Sequence, residues 1–255
     1  MHMDGRRMNR KNRKINYILS LIYPPRCPFC DDLIETWNDG FFGYHKACKE
    51  ILQTINEPIC YHCGKALETN VKELCYDCAK RAAGGISYIE SGRGIYEYKD
   101  KTKLMMYRFK YGNRGCYAAC FAKEAVNRHS IWLGNVNPDV IIPVTMTGRK
   151  KCMRGYNQAE EFAKALGQEL QIPVDCKSVK RCRNTKALKT MDPAERKNNL
   201  KNAFHVEDSI VSYRKILLVD DIYTTGATVE TIAEAIRRQA DIDVYFLVVC
   251  VGSGY

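Results

Sequence analysis

The chain has 255 residues, and its 40 lysines and arginines exceed its 29 aspartates and glutamates to give a formal net charge of +11. This length accommodates one large or two smaller domains, and the charge favours anionic partners such as phosphorylated metabolites or nucleic acid. No run approaches the roughly 18 apolar residues of a membrane span, which argues against an integral membrane protein.

Residues 1–26 are predicted to form a basic leader and a short amphipathic helix. Asp4 is the only acid among the first 14 residues, which carry six cations: Arg6, Arg7, Arg10, Lys11, Arg13 and Lys14. These cations either contact nucleic-acid phosphates or solubilise this end of the chain. The apolar stretch 15–23 is too short and too polar for a signal peptide, and Pro24-Pro25-Arg26 replaces a small-residue cleavage site. We therefore expect a cytoplasmic protein.

Residues 27–84 are predicted to form a zinc-ribbon module, because paired cysteines in a reducing compartment are more often metal ligands than disulfides. Four pairs place ligands on tight turns: Cys27 and Cys30, His45 and Cys48, Cys60 and Cys63, Cys75 and Cys78. In chain order they make two tetrahedral zinc sites. A histidine holds a position normally taken by cysteine in the first site, so either His45 substitutes or that ion is absent.

Four protein ligands leave no open position at either site, so we expect structural zinc rather than catalytic zinc. Few aliphatic residues lie between Cys27 and Cys78, and metal binding is expected to supply much of the folding energy of this module. His62 lies inside a knuckle and is expected to be exposed.

Residues 85–255 are predicted to form an α/β domain, a parallel sheet flanked by helices, because strand and helix patterns alternate along them. The segment 87–98 predicts a hairpin around Gly92-Arg93-Gly94. Helices are predicted over 101–110, 116–128 and 157–170. The segment 109–115, where the first of these helices ends, is predicted to turn and carries two cations, Lys110 and Arg114. Lys110 either contacts a ligand or is solvated.

A buried strand over 139–144 leads into a predicted loop, 145–158, that carries four cations: Arg149, Lys150, Lys151 and Arg154. The loop either binds an anion or is a basic surface facing solvent. Residues 177–201 hold nine lysines and arginines against two acids. This segment either clamps a phosphorylated ligand, receives a nucleic-acid backbone, or forms a mobile basic lid.

The most informative segment is 215–228, in which an apolar strand ends in Asp220 and Asp221 and turns through Thr224-Thr225-Gly226 into a helix. Unpaired N–H groups at a helix N-terminus favour a phosphate, and a strand's carboxyl end is where open α/β sheets bind ligands. Two carboxylates beside a phosphate site suit ribose hydroxyls or a shared metal. The alternative is an ordinary strand-to-helix turn with an acidic N-cap, but such a cap needs only one acid and this turn has two. The sequence therefore predicts a ribose 5-phosphate pocket, and a further buried strand over 243–251.

The segment 219–228 resembles the phosphoribosyl-pyrophosphate (PRPP) motif of type I phosphoribosyltransferases. The resemblance implies that Asp220 and Asp221 bind the ribose hydroxyls. It assigns the 5-phosphate to five loop residues: Thr224, Thr225, Gly226, Ala227 and Thr228. Arg149 and Arg154 would face pyrophosphate, and magnesium would bridge pyrophosphate and ribose. In an active transferase the acids would also help stabilise an oxocarbenium-like transition state.

The zinc module and the runs FKYGNRG, IIPVTMTGRKKCMRGYNQAEEFA, RCRNTKALKTMDPAERKNNLKNAF and VDDIYTTGAT, in this order, resemble the ComF family. That family pairs a zinc ribbon with a phosphoribosyltransferase-like domain and is linked to bacterial DNA uptake in natural transformation. Four residues match its pattern: Arg183, Thr185, Arg196 and Asn199. Leu188 stands where the family usually has glutamine, and His45 replaces a knuckle cysteine.

The resemblance implies single-stranded DNA and a DNA-uptake helicase as partners. Two main hypotheses follow. The chain is either a PRPP-binding protein that handles incoming DNA, or an active phosphoribosyltransferase with an unidentified acceptor. A zinc-dependent docking protein is a third hypothesis.

Overall fold

The computed structural model describes residues 26–34, 43–49, 54–84, 87–182 and 203–252. Its centre is a four-stranded parallel sheet in the order β1–β6–β5–β2, built from β1 (Ser91–Glu97), β2 (Val140–Pro143), β5 (Lys215–Tyr223) and β6 (Asp243–Val251). Two short antiparallel strands form a separate ribbon, β3 (Val179–Arg181) and β4 (Phe204–Val206). The predicted α/β class with a parallel sheet is confirmed.

The helices, in chain order, are α1 (Lys46–Lys49), α2 (Tyr76–Ala83), α3 (Asp100–Tyr111), α4 (Tyr117–Val136), α5 (Gly148–Arg154), α6 (Gln158–Leu170) and α7 (Ala227–Arg237). A 3-10 turn spans Asp208–Ser212. The predicted helices α3 and α6 are present, and α4 runs eight residues past its predicted end at Arg128, to Val136. The loop predicted after β2 is wrong in part, because its basic stretch forms α5. Among the described residues, every helix is too short or too polar to cross a bilayer.

Helices cover both faces of the sheet, and the alternation of side chains along β5 shows how. Leu217 and Val219 are fully buried against α3, α4 and α6. Ile216 and Leu218 are fully buried on the other face, against α7 and the β3–β4 ribbon. A strand buried on both faces needs a continuous apolar run, which is what the sequence of β5 provides before its two acids.

The hairpin predicted around Gly92 and Gly94 is wrong. Both glycines lie within the single strand β1, which pairs with β6 in parallel. A Cβ atom at Gly92 would collide with the Phe246 ring, and one at Gly94 would collide with Val251. The glycines therefore make room for large side chains from the neighbouring strand instead of forming a turn.

The zinc-binding segments straddle the β1 edge of the sheet. Thr54 pairs with Tyr96 as an antiparallel bridge, and the N–H of Ile55 donates to the Ile95 carbonyl at 3.4 Å. Cys27 packs with the side chains on the α3 and α4 face, whereas Cys60 packs with those on the α7 face. This module thus protects an edge strand that would otherwise present unpaired backbone groups.

Candidate functional site

The acidic pair lies at the carboxyl end of β5. Asp221 follows Leu217 and Val219 on the face covered by α3. Asp220 follows Leu218 on the opposite face, covered by α7 and the β3–β4 ribbon. The backbone N–H of Asp221 donates to Asp220 Oδ1 at 2.8 Å. The two carboxyl groups therefore lie toward opposite faces of the sheet.

Lys110, near the end of α3, forms an ion pair with Asp221. The distance from Lys110 Nζ to Asp221 Oδ2 is 2.9 Å, and the two side chains are 18% and 17% exposed. Burial disfavours the charged amine, but the carboxylates of Asp221 and Asp220 outweigh burial and raise the pKa of Lys110. Lys110 thus carries its charge beside the acidic pair, where a phosphate would compete with Asp221 for it.

Asp220 lies near Arg181 of β3. Burial, followed by the charge of Asp221, raises the pKa of Asp220 to about 8, although Lys110 and Arg181 pull it down in part. Burial also lowers the pKa of Arg181, and Asp220 opposes that shift. A divalent cation at this carboxyl would favour its ionised form, so metal binding here is linked to loss of a proton.

Lys150 and Arg154 of α5 add positive charge to the same edge. Partial burial, followed by the charges of Arg181 and Arg154, lowers the pKa of Lys150. Arg154 donates to Gln158 Oε1 and to the Tyr111 hydroxyl, both at 3.1 Å, and its guanidinium lies 4.9 Å from the centroid of the Tyr111 ring. Cations gathered beside the acidic pair favour an anionic ligand.

Arg149 is exposed on the same helix. The structure brings Lys110 to the acidic pair, and Arg154 lies close enough to Lys110 to act on its charge. Gln158 helps to hold them together, because its buried amide donates to the carbonyls of Phe109 and Lys110, both at 3.4 Å. The assignment of Arg149 to pyrophosphate stays a prediction.

Two threonines of the loop between β2 and α5 were missed by sequence reasoning. The hydroxyls of Thr145 and Thr147 are buried and find no hydrogen-bond partner among the described residues. Thr147 is 7% exposed. The loop lies beside the end of β5, because Pro143 pairs with Val219. A buried hydroxyl without a partner is costly, so these groups are candidate ligand donors.

The predicted phosphate loop sits at the N-terminus of α7. Gly226 is the N-cap residue and has a left-handed φ of +79°, which a residue with a Cβ atom adopts at a cost. Thr224 and Thr225 are exposed, and Ala227 and Thr228 are half-buried in the first turn. The first N–H groups of a helix lack intrahelical partners, so this loop presents donors to an anion.

Arg114 lies in the turn after α3 and holds the first zinc-binding segment instead of a ligand, whereas Lys110, predicted to share that turn, lies in the last turn of α3. Its Nε and Nη2 donate to Asp31 Oδ1 and Oδ2 at 2.8 and 3.0 Å. The Tyr117 hydroxyl donates to Asp31 Oδ1 at 2.6 Å. The Arg114 hydrogen bonds, which outweigh burial, lower the pKa of Asp31 to about 2. This paired contact fixes the first knuckle to α4.

The structure brings together both predicted zinc-ligand sets. The ligand atoms within each set lie within 4.8 Å of one another, in the groups Cys27, Cys30, His45, Cys48 and Cys60, Cys63, Cys75, Cys78. Cysteine thiolates and histidine nitrogens in sets of four are the donors that structural zinc prefers. Both groups therefore fit a structural zinc ion.

His45 is oriented as a zinc ligand would be. Its Nδ1 lies 3.2 Å from Cys30 Sγ, while its Nε2 lies 2.9 Å from the Leu33 carbonyl oxygen. A ligating histidine commonly donates its second ring N–H to a carbonyl, which fixes the ring. This geometry favours substitution by His45 over loss of the first ion.

His62 is half-buried, so the expectation that it is exposed is wrong. Its Nε2 lies 2.8 Å from Ser87 Oγ and 3.1 Å from the Ile89 carbonyl oxygen. Its Nδ1 lies 3.6 Å from Cys78 Sγ. His62 thus buttresses the second metal-ligand set, which a local sequence pattern does not reveal.

Several predicted features lie outside the described residues. They are the basic leader, most of the basic segment 177–201, and the residues Arg183, Thr185, Leu188, Arg196 and Asn199.

Comparison with known proteins supports the resemblance to the ComF family. Residues 18–79 match the double zinc ribbon domain. Competence protein F of Haemophilus influenzae is 28% identical over 222 residues, covering 84% of this chain and 91% of that protein. Competence protein ComFC of Bacillus subtilis is 25% identical over 197 residues, covering 76% and 77%. DNA utilization protein YhgH of Escherichia coli K12 is 28% identical over 160 residues, covering 61% and 70%.

The double zinc ribbon precedes an α/β sheet that carries the acidic pair, and the similarity to two competence proteins extends across most of the chain. These features support membership of the ComF family.

Proposed function

We propose that this protein binds PRPP at the carboxyl edge of its sheet and takes part in handling single-stranded DNA during natural transformation. The observation that carries the ligand assignment is the meeting of Asp220 and Asp221 with Lys110, Arg154 and other cations, next to the N-terminus of α7. A neutral sugar would not need these cations, and a simple phosphate would not need the acids. A ribose that carries phosphate groups uses both.

In this proposal each chemical group of PRPP has its own contacts in the site. The carboxylates would accept hydrogen bonds from the ribose hydroxyls, and the N–H groups of 224–228 would bind the 5-phosphate. Lys150 and Arg154 would lie toward the pyrophosphate, together with the unpartnered hydroxyls of Thr145 and Thr147. Magnesium would add charge between pyrophosphate and ribose while keeping several waters.

The DNA part of the proposal is supported by the relatives, which are named competence and DNA utilization proteins. It is also supported by the net charge of +11, which favours a polyanion. A DNA-uptake helicase is the proposed protein partner. We further propose that residues 27–84 and 85–255 act as two units, with the ribbon serving as a structural element of the whole.

The test of the DNA assignment is the fluorescence anisotropy of a labelled single-stranded oligonucleotide, with and without magnesium and PRPP. We expect saturable binding at low salt that falls steeply between about 50 and 200 mM salt, because phosphate contacts release counterions. Absence of binding at low salt would contradict a direct role in handling DNA.

The alternative is an active phosphoribosyltransferase. It is favoured by Lys150 and Arg154, whose position suits a departing pyrophosphate. In that case C1 of the ribose loses pyrophosphate and forms a bond to the acceptor. Release of pyrophosphate that depends on an added acceptor, and that Asp221→Asn abolishes, would establish this reaction.

A further inference from the structure

The short helix α2 of the zinc-binding segment touches the predicted phosphate loop. It carries the metal ligand Cys78, which is 4% exposed, and one turn later Arg81. Arg81 Nη2 donates to the Thr225 carbonyl at 2.7 Å, and Arg81 Nη1 donates to Glu230 Oε1 at 2.7 Å. The Arg81 and Glu230 side chains are 19% and 14% exposed, so solvent screens this ion pair little.

The bond to Thr225 bears directly on phosphate recognition. In a planar trans peptide the carbonyl and the following N–H point in opposite directions. Holding the Thr225 carbonyl toward Arg81 therefore directs the N–H of Gly226 away from α2. That N–H is one of the loop donors available to a phosphate.

The Tyr223 side chain packs against Gly226. A Cβ atom at Gly226 would collide with the Tyr223 hydroxyl. The Tyr223 ring is stacked on Phe246, with centroids 4.5 Å apart and planes 6° apart. Arg81 Nη1 also lies 3.5 Å from the Tyr223 hydroxyl. The loop is therefore held between a rigid aromatic stack and an arginine from another part of the chain.

A second chain of contacts joins the metal-ligand set to Glu230. His62 Nδ1 lies 3.6 Å from Cys78 Sγ, and His62 Nε2 lies 2.8 Å from Ser87 Oγ. Ser87 Oγ donates to Glu230 Oε1 at 3.1 Å, and the N–H of Tyr88 donates to Glu230 Oε2 at 3.0 Å. Glu230 belongs to the first turn of α7. Displacement of His62 would thus disturb Glu230, and displacement of α2 would move Arg81 away from both Thr225 and Glu230.

We propose that Arg81 is a positioning residue through which the second zinc site, formed by Cys60, Cys63, Cys75 and Cys78, sets the conformation of the phosphate loop. Zinc at that site then supports ligand binding without any zinc ligand touching the loop. The first zinc site has no such contact with the loop within the described residues, so its loss leaves the loop unchanged. The effect on ribose 5-phosphate affinity rests on the function proposed above, whereas the effect on the loop does not.

The test compares Arg81→Leu with Lys80→Leu. Lys80 is exposed on the same helix, so its substitution removes the same charge without removing these contacts. The first measurement is hydrogen exchange of the Glu230 amide, which donates to the Gly226 carbonyl at 2.9 Å. The second is titration with ribose 5-phosphate, with zinc content measured in parallel.

Arg81→Leu is expected to keep its zinc, to speed exchange of the Glu230 amide about tenfold and to weaken ribose 5-phosphate binding about tenfold, since a bond to a charged group is lost. Arg81→Lys should recover only part of the protection of the Glu230 amide and only part of the ribose 5-phosphate affinity. A lysine lacks the planar fork that reaches both Thr225 and Glu230. Cys75→Ser should reproduce the Arg81→Leu exchange result, whereas His45→Ala should not. Lys80→Leu should behave as the unchanged protein.

Equal exchange rates in Arg81→Leu and Lys80→Leu would overturn the proposal even if both bind ribose 5-phosphate. Faster exchange in Arg81→Leu, with no ribose 5-phosphate binding by any variant, would support the positioning role and contradict the proposed ligand.

Discussion

Lys110 Nζ lies 2.9 Å from Asp221 Oδ2, so the last acid of a central strand is already neutralised by a cation from α3, the helix that follows β1. The pair is little exposed and stands where a ribose phosphate is proposed to bind. Its charges are therefore both a stability element and a part of the site. This double role gives the first prediction.

Lys110→Met and Asp221→Asn should each lower the free energy of unfolding by about 2 to 4 kcal/mol, because each leaves an unpaired charge in a little-exposed place. The double variant should lose less than the sum of the two. Urea unfolding of the four proteins measures this coupling. Strict additivity would show that the two residues do not interact. Lys151→Met is the control, because it breaks the more exposed ion pair between Lys151 and Glu160. It should lower the free energy of unfolding by less than about 1 kcal/mol.

Asp220 gives a prediction about pH. Its pKa is about 8 in the folded protein, against 3.8 for an ordinary aspartate. A carboxyl whose folded pKa is raised contributes stability that is full below about pH 4 and is lost as the pH rises to about 8. Asp220→Asn should therefore gain in stability relative to the unchanged protein between about pH 5 and pH 8, measured by denaturant midpoints.

Asp139 supplies the control of opposite sign. Backbone N–H groups of Lys215 and Arg214 lower its pKa, so its contribution is lost only as the pH falls below about 4. The stability difference caused by Asp139→Asn should stay constant between about pH 5 and pH 8. A pH-independent effect of Asp220→Asn over the same range would contradict the raised pKa.

Metal content gives the third prediction. Both ligand sets are assembled, so elemental analysis should find two zinc ions per chain. His45→Ala and Cys75→Ser should each retain one. One ion in the unchanged protein, together with no loss in His45→Ala, would show that the first site does not bind zinc.

The fourth prediction concerns Gly226. Gly226→Ala should lower the free energy of unfolding by about 1 to 3 kcal/mol and weaken ligand binding, because φ is +79° and the Tyr223 hydroxyl fills the space of a Cβ atom. Gly134→Ala is the matched control, since a Cβ atom at Gly134 in α4 would meet nothing within 4 Å. It should stabilise the protein by about 0.5 to 1 kcal/mol. Equal effects in thermal unfolding would contradict the conformational argument.

The sequence was sufficient where the signal is local. The strand, acids, turn and helix of 215–237 follow one another without interruption, so their order predicts the edge of the sheet at which they lie. The four cysteine and histidine pairs are likewise local knuckles, and the structure brings their ligand atoms together.

Contacts between distant segments could not be predicted in this way. Nothing near Arg81 in the sequence indicates that it reaches Thr225, and nothing near Arg181 indicates that it faces Asp220. Gly92 and Gly94 misled the prediction because glycine serves both in turns and where a neighbouring side chain needs room. Only the positions of Phe246 and Val251 on the adjacent strand distinguish these two uses.

The most direct test of the proposed site is isothermal titration of the protein with PRPP in the presence of magnesium, at about pH 8. We predict one saturable binding event per chain that Asp221→Asn and Gly226→Ala weaken at least tenfold, while Gly134→Ala leaves it unchanged. Absence of binding, or equal affinity in all four proteins, would contradict the claim that this edge of the sheet binds a ribose phosphate.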